Sequence, residues 1–180
     1  MYSQNPALSG TVTLGIGGNI VAGGSIAQAV YSNAPTFRGE FELGLPRFLA
    51  LDLGIESALP EFSHYCTGVD YCSGKTRETA TFLPFGVRIV PSLDNGRLEP
   101  FVGFGGAYVR HSDQNDPCCS FTGPNSWLWQ ANGGVRYALD HNRRFWIGTT
   151  VRYYRDGFHA SQQQYISWTG DFSYRFGYRK

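Results

Sequence analysis

Polar and apolar residues alternate with a two-residue period along most of this chain, and clusters of Gly, Ser, Asn, Asp and Pro break the alternation at intervals. Over 48–59, Leu49, Leu51, Leu53, Ile55 and Leu59 oppose Ala50, Asp52, Gly54 and Glu56. Over 80–91, Thr81, Leu83, Phe85, Val87 and Ile89 oppose Gly86 and Arg88. Over 126–139, Trp127, Trp129, Ala131, Val135, Tyr137 and Leu139 oppose Gln130, Asn132, Gly134 and Arg136. The segment 144–155 sets Phe145, Ile147, Val151 and Tyr153 against Arg144, Gly148, Thr150 and Arg152. The segment 164–177 sets Ile166, Trp168, Phe172, Tyr174 and Phe176 against Ser167, Thr169, Asp171, Ser173 and Arg175. With the segments 10–22, 37–44 and 98–110, the pattern predicts eight strands. In 98–110, Phe101 and Phe104 have opposite parity, so the pattern leaves the inward face of that strand open.

The predicted connections alternate in length. Those at about 23–36, 60–79, 111–125 and 156–163 are long loops. Those between are short: Leu45-Pro46-Arg47, the 92–97 turn with Asp94-Asn95-Gly96, and Asp140-His141-Asn142-Arg143. Long loops at one rim and short turns at the other are the mark of an up-and-down meander closed into a membrane barrel. The predicted fold is therefore all-β, an eight-stranded antiparallel up-and-down transmembrane β-barrel. It forms a single domain over 1–180, with residues 1–9 as an N-terminal tail.

Composition decides which face meets which solvent. Aromatic residues are 16% of the 180, charged residues only 16%, and glycines number 23. Only two of the 15 basic residues are lysine, and net charge is +1. Such a chain suits neither a helical bundle nor a disordered tail. It has no basic field for nucleic acid. No run of 18 apolar residues occurs, which excludes a transmembrane helix and leaves a membrane strand untouched. The polar face carries Arg38, Glu40, Glu42, Asp52, Glu56, Arg88, Glu99, Arg136, Arg152, Asp171 and Arg175. Six acids and five arginines are nearly balanced, and small residues surround them. A water-soluble barrel or sandwich would place Lys and Glu outward and large apolar residues inward. An eight-stranded barrel has room inside only for side chains, and buried charges need partners. The charges are thus expected to form a network in the lumen, and the oily face to meet lipid.

The segments Leu98-Glu99-Pro100-Phe101-Val102-Gly103-Phe104-Gly105-Gly106, Gly133-Gly134-Val135-Arg136-Tyr137, Val151-Arg152-Tyr153-Tyr154 and Phe172-Ser173-Tyr174-Arg175-Phe176-Gly177 resemble bacterial outer-membrane β-barrel domains of the small OmpA/OmpX-like type. The resemblance implies the bacterial outer membrane as location. It also implies outer-membrane lipid, including lipopolysaccharide, and the barrel-assembly machinery as partners. The last strand is similar to the assembly signal of that family, although Gly177-Tyr178-Arg179-Lys180 follows its aromatic Phe176. Met1 to Ser9 has neither a basic nor an apolar leader segment, so the numbering is expected to be that of a mature chain without its signal peptide.

Candidate chemistry is sparse. All four cysteines fall in predicted long loops at one rim, Cys66 and Cys72 in one, Cys118 and Cys119 in another. An oxidising exterior favours disulfides, and four cysteines allow three connectivities. A bond from Cys66 or Cys72 to Cys118 or Cys119 is expected to staple the two loops. Neither spacing fits a zinc knuckle. His159-Ala160-Ser161 is similar to the His-x-Ser motif of outer-membrane lipid A deacylases, with Ser161 as nucleophile, His159 as base and Asp171 as orienting acid. Gln162 stands where that family has Asn, and an ordinary loop is the expected reading. Asp113, Asn115 and Asp116 read as a polar loop rather than a calcium site, and Gly15-Ile16-Gly17-Gly18 lies in a strand and not in a phosphate loop. No metal or cofactor is expected. The expected function is a non-enzymatic surface-display barrel with disulfide-braced loops. The alternatives are a narrow channel for small or apolar solutes, an assembly subunit joined through its loops to copies of itself or to another surface protein, and the lipid A hydrolase.

Overall fold

The computed structural model describes residues 8–23, 34–45, 48–59, 61–66, 72–113, 125–157 and 164–177. Nine strand segments lie among them: β1 (Ser9–Gly23), β2 (Ala34–Gly44), β3 (Leu49–Ala58), β4 (Glu61–Cys66), β5 (Cys72–Ile89), β6 (Leu98–Asp113), β7 (Ser126–Ala138), β8 (Phe145–Asp156) and β9 (Gln164–Phe176). Every pairing is antiparallel and joins neighbours in sequence, and β1 returns to β9. β3 and β4 both pair with β5, and one register runs through Ala58↔Ala80 to Glu61↔Arg77. Together they make one stave, with the ladder broken after Ala58. The barrel thus closes with eight staves, each paired on both sides in its barrel-forming stretch, and the β4–β5 hairpin extends beyond that ring.

The strands are longer than the sequence pattern predicts at the long-loop rim. Residues 61–66 and 72–79, expected within a loop, extend the β3–β5 hairpin, and 34–36 and 111–113 are also strand. Phe62-Ser63-His64-Tyr65 and Ser73-Gly74-Lys75-Thr76 have polar residues at both parities of the sequence. A two-period test tuned to one apolar face passes over them.

Alternation in burial follows the predicted parity. Leu51, Leu53, Phe85, Ile147 and Phe172 are exposed, Leu53 at 61%, whereas Arg88, Arg152 and Glu56 are at most 2% exposed. A large apolar side chain left uncovered at most strand positions is unfavourable in water and favourable in lipid. Rings gather in two belts on this surface. Trp127 meets Phe85 and Tyr108, and Trp129 stacks on Phe104, with both tryptophans in the long-loop half of β7. Toward the short-turn rim Phe41 stacks on Phe176, and Phe145 meets Phe172 and Tyr174. Aromatic belts mark the two membrane interfaces.

The short turns are built by local hydrogen bonds. Asp140 Oδ1 accepts from the N–H groups of Arg144 and Phe145 at 2.8 and 2.9 Å, and this pair of bonds holds the β7–β8 reversal. The Phe145 N–H, then that of Arg144, keeps the Asp140 carboxyl below its ordinary range. In the β5–β6 turn Gly96 adopts φ +81°, and a side chain there would strike the Arg143 guanidinium.

Candidate functional site: the barrel interior and the long-loop rim

β6 settles the face that the sequence pattern leaves open. Phe101, Ala107 and Val109 point inward, and Val102 and Phe104 point outward at 59% and 57% exposure. Phe101 enters the lumen because two arginines cover it. The Arg88 and Arg136 guanidiniums lie 4.9 and 6.0 Å from its ring centre, a cation–π arrangement.

All eleven predicted lumen residues have buried side chains inside the barrel. Near the short-turn rim Glu99 accepts from Arg175 Nη1 at 2.9 Å and from Arg136 Nε at 2.8 Å, and Ser92 Oγ donates to it at 3.2 Å. Trp146 lies beneath, fully buried, with Arg175 4.4 Å and Arg136 5.7 Å from its indole centre. Arg136 also donates to Glu42 at 2.8 Å and so ties this group to the next. There Arg88 is the hub. It grips Glu40 with two nitrogens, donates to Asn132 at 2.9 Å, and lies 3.3 Å from Glu42 and 3.6 Å from Asp52. Arg152 shares Glu40 at 2.6 Å and approaches Glu56 at 3.5 Å. On the far wall Arg38 pairs with Asp171 at 2.9 Å, and Thr150 donates to the same carboxylate at 2.6 Å. Arginine suits this role because its planar fork binds several carboxylates at once.

Above the ions, toward the long-loop rim, the interior changes character. Tyr154 donates from its hydroxyl to Glu56 at 3.0 Å and stacks its ring on Phe82, 4.5 Å between centres. Tyr165 meets Phe82 edge-on at 5.1 Å. Ala34, Ala58, Ala80, Ala107, Val109 and Leu128 complete a buried apolar plug around the three rings. The sequence pattern misses this plug. Phe82, Leu128, Tyr154 and Tyr165 share the parity of the charged residues, and that shared parity was the available signal.

The remaining candidates are placed only in part. His159, Ser161, Cys118, Cys119, Asn115 and Asp116 lie outside the described residues. Asp171, the proposed orienting acid, sits in the lumen, bound to Arg38 and Thr150. Cys66 and Cys72 end β4 and begin β5 and are direct partners in the ladder. Among the described residues no group of three or more His, Cys, Asp or Glu could hold a metal.

A closed eight-stave barrel with an oily outside and a paired ionic interior has the architecture of a small transmembrane β-barrel. Solved structures share its fold over nearly the whole chain. The outer-membrane protein OprG from Pseudomonas aeruginosa matches with a TM-score of 0.68 at 12% identity, over 96% of this chain and 97% of that one. Neisserial surface protein A (NspA) matches with 0.67 at 10% identity, over 94% and 97%. Ail, the attachment invasion locus protein of Yersinia pestis, solved with the heparin analogue sucrose octasulfate, matches with 0.65 at 10% identity, over 94% and 99%. At such identities the likeness is one of fold. No family model and no curated relative matches the sequence.

Proposed function

We propose that this protein is a non-catalytic barrel of the bacterial outer membrane that anchors and displays its long-loop rim at the cell surface. One observation carries the reading: the lumen is filled twice over, by the Arg88–Glu40 network and by the Phe82–Tyr154–Tyr165 plug above it. A conducting protein needs a wetted path, and a scaffold needs a rigid wall. This interior supplies the wall. The aromatic belts support insertion in a membrane, and the fold of OprG, NspA and Ail supports the outer membrane as its location.

Disulfide bracing belongs to this proposal. The ladder partnership of Cys66 and Cys72 favours a bond within the β4–β5 hairpin, while the staple to Cys118 or Cys119 would join two hairpins. Either arrangement restricts the rim that is displayed. Lipopolysaccharide, the barrel-assembly machinery and a second surface protein remain the proposed partners.

The test inserts a short epitope between residues 118 and 121 and probes intact cells. Antibody binding to whole cells, with an unboiled sample that migrates faster than a boiled one, supports display. An epitope reached only after lysis overturns it.

A further inference from the structure

A groove of about 480 Å³ opens on the outer wall where β6, β7 and β8 approach the long-loop rim. That volume falls within the span of about 300–1,000 Å³ common to ligand clefts. The register explains its shape. Ala131 has Phe104 as its partner on β6 and Tyr153 as its partner on β8, so a methyl group lies between two rings. Trp129, one step up the same face of β7, stacks on Phe104 with centres 5.6 Å apart. Its indole also lies against Gly157, where a side chain would meet Trp129 Nε1 at 2.6 Å. Rings therefore wall the groove on both sides, and Ala131 leaves its floor low.

Arg155 closes the upper end. It is the ladder partner of Trp129, it is exposed, and it lines the same groove. Among the described residues neither Arg155 nor the Trp129 indole donates a hydrogen bond, so an arginine and an N–H lie side by side without an acceptor. The adjacent carboxylate, Asp156, borders the groove but is 3% exposed on the inward parity, so among the described residues no carboxylate pairs with Arg155. The apolar trough points toward the membrane middle and the cationic end toward the headgroups.

We infer that this groove binds an anionic, phosphate-bearing membrane lipid, with an acyl chain along Ala131 between Phe104 and Tyr153 and its phosphate on Arg155 and the Trp129 indole. The inference rests on the membrane reading above. Arginine suits phosphate because its fork donates two bonds at once, and basic sites at the membrane interface select anionic headgroups in the same way.

The test uses the full chain in nanodiscs of phosphatidylcholine, into which phosphatidylglycerol with brominated acyl chains is titrated. Quenching of tryptophan fluorescence is read against brominated phosphatidylcholine. In a Trp127→Phe/Trp168→Phe background, Trp129 is the lipid-facing tryptophan that remains. The expected result is about fivefold stronger quenching by the anionic lipid at low mole fraction, the enrichment that one arginine near the headgroups supplies. Arg155→Gln abolishes that preference, and Ala131→Phe, which fills the trough, weakens quenching by both lipids. Arg144→Gln at the opposite rim leaves both unchanged. Equal quenching by the two lipids, or a preference that survives Arg155→Gln, overturns the inference. So does displacement by millimolar inorganic phosphate, which would mark a phosphate site rather than a lipid site. Boiled and unboiled samples of each variant are run on gels alongside. A variant that keeps the mobility shift yet loses the preference separates failure of the groove from failure of the barrel.

Discussion

The two halves of the lumen are filled by different physics. Near the short turns, Arg175, Arg136 and Arg88 interlock with Glu99, Glu42 and Glu40, and rings serve as plates beneath guanidiniums. Near the long loops, Phe82, Tyr154 and Tyr165 pack among alanines, and the Tyr154–Glu56 bond is the seam between the halves. The ionic half fixes which stave faces which, because every carboxylate there needs a given arginine. The apolar half needs only volume. The proposed scaffold role therefore draws its specificity of assembly from below the seam and its filled volume from above it.

The largest effects come from the ionic half. Arg88→Leu leaves Glu40 to Arg152 alone and leaves Glu42 and Asp52 with less charge opposite them, and it is expected to cost about 3–5 kcal/mol. Urea unfolding in lipid vesicles, followed by gel mobility, measures it. Replacing Glu40 by Leu as well restores much of the loss, because removal of both partners spares an unpaired buried charge. Phe82→Ala costs about as much, 3–5 kcal/mol, but no second substitution among the ions restores it. That contrast separates the halves: if Glu40→Leu deepens the Arg88→Leu defect by its own full cost, the ions do not act as a network.

The outer wall provides a control of intermediate size. Leu53→Arg places a charge on the lipid face and is expected to cost about 2–4 kcal/mol near the midplane, and Ile147→Arg, beside Phe145 and Phe172 of the short-turn belt, costs less. Spin labels at the same positions should be reached by oxygen and not by aqueous quenchers. Tyr154→Phe, at the seam, deprives Glu56 of a donor and is expected to cost about 1–3 kcal/mol.

The smallest effect belongs to neither half. The Asp140 carboxyl is held below its ordinary value of 3.8 by the turn N–H groups of Phe145 and Arg144. A lowered folded value contributes stability above the unfolded one, lost as pH falls through the folded one. Asp140→Ala therefore shifts the urea midpoint slightly at pH 7, and the difference from wild type fades in acid. A difference that persists at the lowest pH would assign the effect to the turn's shape instead of its charge.

The same contrast explains what the sequence made legible. Charges at one parity in β2, β3, β7 and β9, and in β5 and β8 away from the long-loop rim, mark the inside plainly, since the lipid middle disfavours them. Phe101, Trp146, Phe82 and Tyr165 carry no charge themselves and are marked only by the parity they share with Glu99, Arg152, Arg88 and Asp171 on their own strands. An inward ring and an outward ring look alike when both faces of a strand are apolar, and only neighbours such as Arg88 or Glu56 decide. The hairpin extension of β4 and β5 was hidden for the opposite reason, polar residues on both faces. The groove at Arg155 was illegible because it depends on Ala131 lying beside Phe104 and Tyr153, a matter of register between three strands.

Conductance of the purified chain in a planar bilayer decides whether the ionic network and the ring plug together fill the lumen. A filled lumen gives no steady conductance in the wild type across the voltages used for porins. A steady nanosiemens-scale conductance of the wild-type barrel, inserted and shown folded by its gel mobility, would contradict it.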